Sequence, residues 1–472
     1  MERPKPEPEP SPFAWFMRAA ERGNPYAQFN LALLYRNGDG VARDDGLACL
    51  WLARAARQRL AFAQNRLGSM YFQGRGVAQS DSLAAYWFGL AAEQGDASAQ
   101  QNLGDLYRNG RGVPRQPDQA VAWYYKAAEQ DLAGAQRLLG ECYLNGEGVA
   151  VNHALAMAWF RKAALLEDAA AEVELGLMYR RGLAAAGGGG AAAGGEADAL
   201  HWFRRAAGRG HPAAQRLLGL ACLEGVAGCD PQGAYTWLQC AARQGDAEAQ
   251  FSLGQLLGGG QAGQAGHCDE GRALAWTTRA AGQGHVLAQY TLGNMYAHGR
   301  GVPRDPRRAL HWYRLAAEQG APNAQFALGV MYAHGQGVRR DETAAVDWYR
   351  RAAEQGDASA QNNLGVMYAN GQGVRQDDAQ AVHWYGLAAE QGHALAQYNL
   401  GGMYNSGRGV ERDTVRSYMW MLLAADAGDP AASANKAIVA RRLSPQQIDS
   451  AVDMQRAWRR ARTVENPERR PA

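Results

Sequence analysis

Residues 358–393 read ASAQNNLGVMYANGQGVRQDDAQAVHWYGLAAEQGH, and this stretch decides the fold. Ala360, Leu364 and Tyr368 follow at intervals of four residues, which places them on one face of an α-helix. The two glycines of the Asn-Gly-Gln-Gly segment predict the end of that helix, because glycine readily takes the left-handed conformation found there. Asp377 suits the N-cap of a second helix, which carries Trp384. The stretch therefore predicts a helix–loop–helix unit.

This unit recurs along the chain, mostly with a period of 36 residues. The motif Ala-Gln-x-x-Leu-Gly-x-x-Tyr begins at Ala63, Ala99, Ala288, Ala324, Ala360 and Ala396, with looser copies at Ala27, Ala135, Ala171, Ala214 and Ala249. All tryptophans except Trp458 mark one position of the second helix: Trp15, Trp51, Trp87, Trp123, Trp159, Trp202, Trp237, Trp276, Trp312, Trp348, Trp384 and Trp420. We expect this tryptophan to be a buried core residue of each unit.

The order AxxxLGxxY, NGxGV and AxxWYxxAAEQG resembles the Sel1-like repeat family, of the bacterial type, over about residues 13–442. The tetratricopeptide repeat is the alternative, but its period is about 34 residues and the loop here is longer and marked by glycine. The resemblance implies an all-α fold, a right-handed α/α solenoid of about eleven to twelve helix-turn-helix repeats with a C-terminal capping helix. It also implies a role in protein–protein interaction.

The array has recognisable ends. Alternating prolines over residues 4–10 favour an extended, solvated chain. Ser444 and Gln447 form a capping-box pattern with Pro445 at the first helical position, and this segment resembles the extension common on bacterial members of the family. The expected organisation is a disordered segment 1–12, the repeat array 13–442, a capping helix 443–461 and a disordered tail 462–472.

Two insertions near 183–196 and 258–271 replace the NGxGV loop with Ala- and Gly-rich sequence. We interpret them as loop expansions. The alternative is a flexible middle between a first block of repeats that ends near 182 and a second that begins near 272.

Composition excludes several classes of function. A formal net charge of +3 in 472 residues gives no support to nucleic-acid binding. The P-loop, GxSxG and HExxH motifs are absent, so no enzyme, cofactor or metal site is expected. Most histidines occupy repeat-equivalent positions, which favours structural roles. A zinc site from His267 and Cys268 with Cys222 or Cys229 would match no known finger spacing.

The sequence predicts a cytoplasmic protein, because it has no signal peptide and no run of 18 apolar residues. We also expect a monomer. Secretion by a signal-independent route stays open. The six cysteines lack CxxC spacing, and we expect reduced thiols.

The first helices of a helix-pair stack should line its concave face, and the residues that vary between copies there are the candidate partner-binding residues. Arginine suits carboxylates, whereas aromatic and amide side chains suit a peptide. The hypothesis is a groove with an acid-seeking half and an aromatic, amide-rich half; the alternative is a solvated face in an arginine-biased chain. The candidates are Arg36, Arg66, Asn102, Arg108, Arg137, Arg180, Arg216, Tyr290, Phe326, Asn362, Asn363, Tyr398 and Asn399.

The sequence thus predicts a non-enzymatic scaffold or adaptor that binds a protein or peptide segment along the concave face. A secreted effector on the same scaffold is the first alternative. A hydrolase acting on cell-wall or β-lactam material is the second.

Overall fold

A computed structural model of the chain describes residues 11–183, 193–226, 228–259 and 269–465, without the side chains of 193–194, 231–232 and 463–465. These residues form 25 α-helices and no strand. The chain divides into two compact units, with the border between Ala241 and Ala242 in the last turn of a helix. This border falls within the segment where the sequence placed a flexible middle; the hinge itself stays a prediction. Of the segments predicted to be disordered, 1–12 and 462–472, residues 1–10 and 466–472 lie outside the described residues, as do most of both insertions. The prediction is wrong for Pro12, which begins the first helix, and for 462–465, which belong to the last helix.

Unit 1 alternates second helices (odd numbers) with first helices (even numbers). Its helices are α1 (Pro12–Glu21), α2 (Pro25–Asn37), α3 (Asp45–Arg57), α4 (Ala61–Gln73), α5 (Asp81–Glu93), α6 (Ala97–Asn109), α7 (Pro117–Ala128), α8 (Ala133–Asn145), α9 (His153–Leu165), α10 (Ala169–Arg180), α11 (Ala193–Gly208), α12 (Pro212–Leu223) and α13 (Pro231–Arg243).

Unit 2 continues the same alternation. Its helices are α14 (Ala247–Leu257), α15 (Glu270–Gly282), α16 (Val286–His298), α17 (Pro306–Glu318), α18 (Pro322–His334), α19 (Glu342–Glu354), α20 (Ala358–Asn370), α21 (Asp378–Glu390), α22 (Ala394–Ser406), α23 (Thr414–Asp426), α24 (Pro430–Ala440) and α25 (Pro445–Glu465). Within each unit, first helices pack against the second helices that precede and follow them, which confirms the predicted α/α solenoid.

The predicted helix boundaries are confirmed where the sequence marked them. Gly371 ends α20 with a φ of 67°, and the carboxylate of Asp377 accepts a hydrogen bond from Gln380 N at the start of α21. At the chain end, Ser444 N donates to Gln447 Oε1 and Gln447 N donates to Ser444 Oγ. The helix they cap, α25, packs on α23 and runs to Glu465, four residues beyond the predicted end at 461.

The second glycine of most NGxG-type loops touches the preceding repeat, although Gly40 in the first loop does not. Gly112 has a φ of 70°, and a Cβ built on it would lie 2.2 Å from the backbone carbonyl of Asp81 at the start of α5. The intervening Arg111 donates to both carboxylate oxygens of Asp81 at 3.0 Å. The loop is therefore a clamp between consecutive repeats, and only glycine fits at its closest point.

The most buried aromatic residue follows the tryptophan. Phe88, Tyr124, Phe160 and Phe203 are at most 3% exposed, and each ring lies against the glycine of the Leu-Gly pair on the first helix of the same repeat. Most of the tryptophans are only half-buried, and several are covered by a cation three residues later, as Lys126 Nζ lies 3.9 Å from the centre of the Trp123 ring. The expectation of a buried tryptophan holds for Trp51, Trp159 and Trp420, but is wrong for Trp15, which is 59% exposed.

A ladder of buried glutamines joins successive repeats. Gln100 Nε2 donates to the carbonyl of Ala92, and its Oε1 accepts a bond from Gln130 at 2.9 Å, 30 residues along the chain. Equivalent glutamines form the same pair of bonds in several other repeats of both units. Leu166 and Ala427 stand 30 residues after Gln136 and Gln397, where the other repeats have the second glutamine. The buried Oε1 atoms of Gln136 and Gln397 therefore have no hydrogen-bond partner among the described residues.

One rung of the ladder carries charge. Glu172, fully buried, replaces the first glutamine, and Arg209 replaces the second. Glu172 Oε1 lies 3.0 Å from Arg205 Nη2 and 3.4 Å from Arg209 Nε, although neither approach has the angle of a hydrogen bond. The two substitutions compensate each other, because a lone buried carboxylate would be costly.

The expectation of six reduced thiols is wrong for two of them. Cys222 and Cys229 form a disulfide, with their Cα atoms 4.9 Å apart. Cys222 takes the position of the tyrosine in the AxxxLGxxY motif. In other repeats the carbonyl of this tyrosine accepts a hydrogen bond from the N-cap residue of the second helix, as Tyr368 does from Asp377 N. Cys229 follows seven residues later, just before Asp230 at the start of α13. A disulfide persists in oxidising compartments, so the cytoplasmic location stays a prediction.

Substitution of Gly112 by alanine should lower the free energy of unfolding by about 1–3 kcal/mol or more, because a Cβ there meets the backbone of Asp81 at positive φ. Gly89, inside α5, has nothing within 4 Å of a built Cβ. The matched control Gly89→Ala should instead stabilise by up to about 1 kcal/mol. Urea unfolding followed by circular dichroism measures both, and equal effects would contradict the clamp.

The charged rung predicts a non-additive pair. Arg209→Gln should lower the thermal midpoint by several degrees, because it removes one of the two cations beside the buried Glu172 carboxylate. The double variant Glu172→Gln/Arg209→Gln restores the glutamine pair of the other repeats and should recover most of the loss. The single variant Glu172→Gln completes the set. If the loss of stability in the double variant equals the sum of the losses in Arg209→Gln and Glu172→Gln, the two residues do not compensate each other.

Candidate protein-binding face

The outward positions of the first helices form one surface in each unit, which we call the first-helix face. They lie one, two, five and eight residues after the buried glutamine, as Asn65, Arg66, Ser69 and Phe72 follow Gln64. The alanine, glutamine, leucine and glycine between them are buried in the same helix, so the backbone positions each outward side chain.

Two of the six predicted arginines are neutralised within the chain. Arg108 Nη2 lies 2.8 Å from Glu147, and its Nη1 lies 3.2 Å from Glu141. Arg137 pairs with the other oxygen of Glu141 and lies 3.5 Å from Asp168. All five side chains are more than two-thirds buried. This network leaves little charge on Arg108 and Arg137 for an acidic partner.

The other four arginines differ. Arg66 and Arg180 are exposed, and Arg66 carries no carboxylate partner among the described residues. Arg36 and Arg216 are half-buried, and Arg36 Nε donates to Asn37 Oδ1 at 3.3 Å. The guanidinium of Arg180 lies 5.9 Å from the centre of the Phe203 ring. Arg66 is thus the exposed candidate with neither a carboxylate nor an aromatic partner among the described residues.

The predicted amides use part of their hydrogen-bonding capacity between repeats. Asn102 Nδ2 donates to Asn65 Oδ1 at 3.0 Å in unit 1, and Asn399 Nδ2 donates to Asn362 Oδ1 at 3.0 Å in unit 2. Asn362 also donates to the neighbouring Asn363, and it is only 2% exposed. Asn362 is therefore a structural residue, and the remaining amide groups of Asn363 and Asn399 reach the surface.

The predicted aromatic residues are half-buried on the first-helix face of unit 2. The Tyr290 ring centre lies 5.8 Å from that of Tyr313, and Phe326 lies 5.9 Å from Tyr349, so each rests on the buried ring of its own repeat. The Tyr398 hydroxyl accepts a bond from Asn435 Nδ2 at 2.9 Å. These three side chains place aromatic surface on the first-helix face of unit 2, and their role in binding a partner stays a prediction.

Sequence reasoning missed an acidic position on the face. Asp105 and Glu141 stand five residues after the buried glutamine in successive repeats, and the hydroxyl of Tyr124 donates to Asp105 Oδ1 at 2.7 Å. Burial is the main cause that raises the pKa of the Asp105 carboxyl and of the Tyr124 hydroxyl. Alignment of the repeats would have placed both carboxylates beside Arg108 and Arg137.

The described residues include no group of three or more histidine, cysteine or acidic side chains that could hold a metal ion. His267 and Cys268, named in the zinc alternative, lie outside them. Cys222 and Cys229 are joined to each other. No helix in the described ranges is long and apolar enough to cross a membrane.

The Sel1 repeat model matches eleven consecutive stretches of the chain, covering residues 25–320 and 322–429. The chain belongs to the Sel1 repeat family. The eleven repeats agree with the expected count, and Sel1 repeat proteins generally serve as protein-interaction scaffolds. The family is also generally non-enzymatic.

Solved structures of Sel1 repeat proteins are similar to this chain. A protective antigen of uropathogenic Escherichia coli with an SLR fold is 33% identical, covers 98% of each chain and superposes with a TM-score of 0.69. A Sel1 repeat protein from Oxalobacter formigenes is 29% identical, covers 79% of this chain and 92% of its own, and has a TM-score of 0.40. No curated protein shows significant sequence similarity to the chain.

Cys142 lies beneath the charged network, and burial raises the pKa of its thiol to about 11. Because the folded state holds this proton more tightly, raising the pH from about 9 to 11 should favour the unfolded chain. At pH 9 we expect iodoacetamide to alkylate Cys142 at least tenfold more slowly in the native protein than in urea. The half-exposed Cys240 is the internal reference, and native alkylation of Cys142 at the rate of Cys240 would contradict the assignment.

Proposed function

We propose that this Sel1 repeat protein is a non-enzymatic adaptor that binds a protein segment along the first-helix face. The observation that carries the proposal is the variation within one repeat position. The residue after the buried glutamine is Asn65, Gln101, Arg137, Tyr290 or Phe326 in different repeats, whereas the alanine, leucine and glycine around it hardly change. A purely structural array needs no such diversity on one face.

Support also comes from the chemistry of the two units. Unit 2 presents aromatic and amide groups, which bind side chains and backbone of a peptide without net charge. Unit 1 presents the unpaired Arg66 together with the internally neutralised Arg108 and Arg137. Of the arginines, Arg66 should therefore contribute most to the binding of an acidic residue.

The partner is to be captured on tagged protein in the native organism, identified by mass spectrometry, and purified. We expect Arg66→Glu to weaken its binding at least tenfold, because charge reversal at an exposed contact repels an acidic group. The matched control is Arg57→Glu on the second helix α3, where the exposed arginine is off the first-helix face. Equal loss in both variants, or no loss from Arg66→Glu combined with Asn363→Ala and Tyr398→Ala, would contradict the proposed face.

A further inference from the structure

A cavity of about 180 Å³ opens on the first-helix face of unit 1, between α4 and α6. Its apolar walls are Phe72, Phe88 and Leu106. Ser69, Asn102 and Asp105 provide its polar groups, and Gln73 completes the rim. By the share of volume that a water molecule takes in the liquid, the cavity holds about six waters.

The cavity exists because one repeat lacks a hydroxyl group that its neighbour has. In the next repeat, the hydroxyl of Tyr124 reaches the first helix and donates to Asp105. Phe88 occupies the equivalent position without a hydroxyl, and the small Ser69 occupies the position of Asp105. The space above the Phe88 ring therefore stays open to the face.

Some of the donors that line this cavity are bound within the chain. Ser69 Oγ donates to the carbonyl of Asn65 at 3.0 Å. Asn102 Nδ2 donates to Asn65 Oδ1, and Asp105 Oδ1 accepts the hydroxyl of Tyr124. These three residues still offer acceptors, the lone pairs of Ser69 Oγ, Asn102 Oδ1 and Asp105 Oδ2, beside the one remaining N–H of Asn102.

The charge of Asp105 is not matched by an ion pair. Arg108 and Arg137, the nearest cations on the face, are held by Glu141, Glu147 and Asp168. One ring of the cavity wall is in contact with a cationic side chain of the chain itself: the guanidinium of Arg111 lies 4.2 Å from the centre of the Phe72 ring. That cation is neutralised by Asp81 and leaves Asp105 unpaired.

We propose that this cavity binds the side chain of a lysine from the partner segment. The aliphatic stem would lie against Phe72, Phe88 and Leu106, and the ammonium group would donate its three hydrogens to Ser69, Asn102 and Asp105. The inference rests on the proposed function, to which it adds the chemistry of the residue that anchors the partner.

The test uses peptide pools with one fixed central residue, lysine, arginine, leucine or glutamate, and random flanking residues, passed over the immobilised full chain at 150 mM salt. We expect the lysine pool to be retained at least tenfold more than the leucine and glutamate pools, since a hydrogen-bonded ion pair in a partly buried site favours the charged residue. Asp105→Asn should reduce retention of the lysine pool to that of the leucine pool.

The chain supplies matched controls for folding. Asn294 stands at the position of Asp105 in unit 2 and accepts the hydroxyl of Tyr313 at 2.7 Å, so Asp105→Asn should keep the bond to Tyr124. Ser69→Leu, which places at this position the residue found at Leu177, should fill the cavity and also abolish the preference for lysine.

Four results would overturn the inference: no pool retained by the wild-type chain, no preference among pools, a preference for arginine over lysine, or a lysine preference that survives in both variants. The proposed function is judged separately with the captured partner. If that partner loses affinity with Arg66→Glu but binds both cavity variants like the wild type, the face stands and the lysine anchor is wrong.

Discussion

In seven of the repeats, the structure depends on the close contact between a glycine of the first helix and a ring of the following second helix. A Cβ built on Gly104 would lie 2.6 Å from the Tyr124 ring, and one on Gly329 would lie 2.5 Å from the Tyr349 ring. A methyl group would overlap the ring at these distances, so the glycine sets how closely the two helices pack. The same spacing then recurs in each such repeat, and the outward positions of the first helices come into register on one face.

Much of this fold could be predicted from sequence, because the period is written in residues with strong local preferences. Gly371 ends its helix and Asp377 begins the next, as the local chemistry of caps requires. The choice between Trp123 and Tyr124 as the core residue could not be made this way. Both are large and aromatic, and only the packed helices show that Tyr124 faces the glycine while Trp123 lies towards solvent under Lys126.

The candidate face was less predictable, because the type of a residue does not show whether its charge or hydrogen-bonding groups are bound by a neighbouring repeat. Arg108 and Arg66 look alike in the sequence, yet Arg108 is held by Glu141 and Glu147 while Arg66 is exposed. The disulfide between Cys222 and Cys229 was missed because the two cysteines have no recognisable spacing, and only the folded loop shows that their Cα atoms lie 4.9 Å apart.

The binding properties of a face built from repeats therefore depend on which hydrogen-bonding groups and charges of its residues are not already bound by neighbouring repeats. Gln100 spends both its donor and its acceptor on the ladder, and Asn362 donates within its helix and accepts from the next repeat. Around Ser69 the same comparison leaves three acceptor oxygens of Ser69, Asn102 and Asp105, although the region is rich in arginine. A surface that is rich in arginine thus still offers a site for a cation where its arginines are held by carboxylates of the chain and a neighbouring carboxylate, here Asp105, forms no ion pair in the described part of the chain.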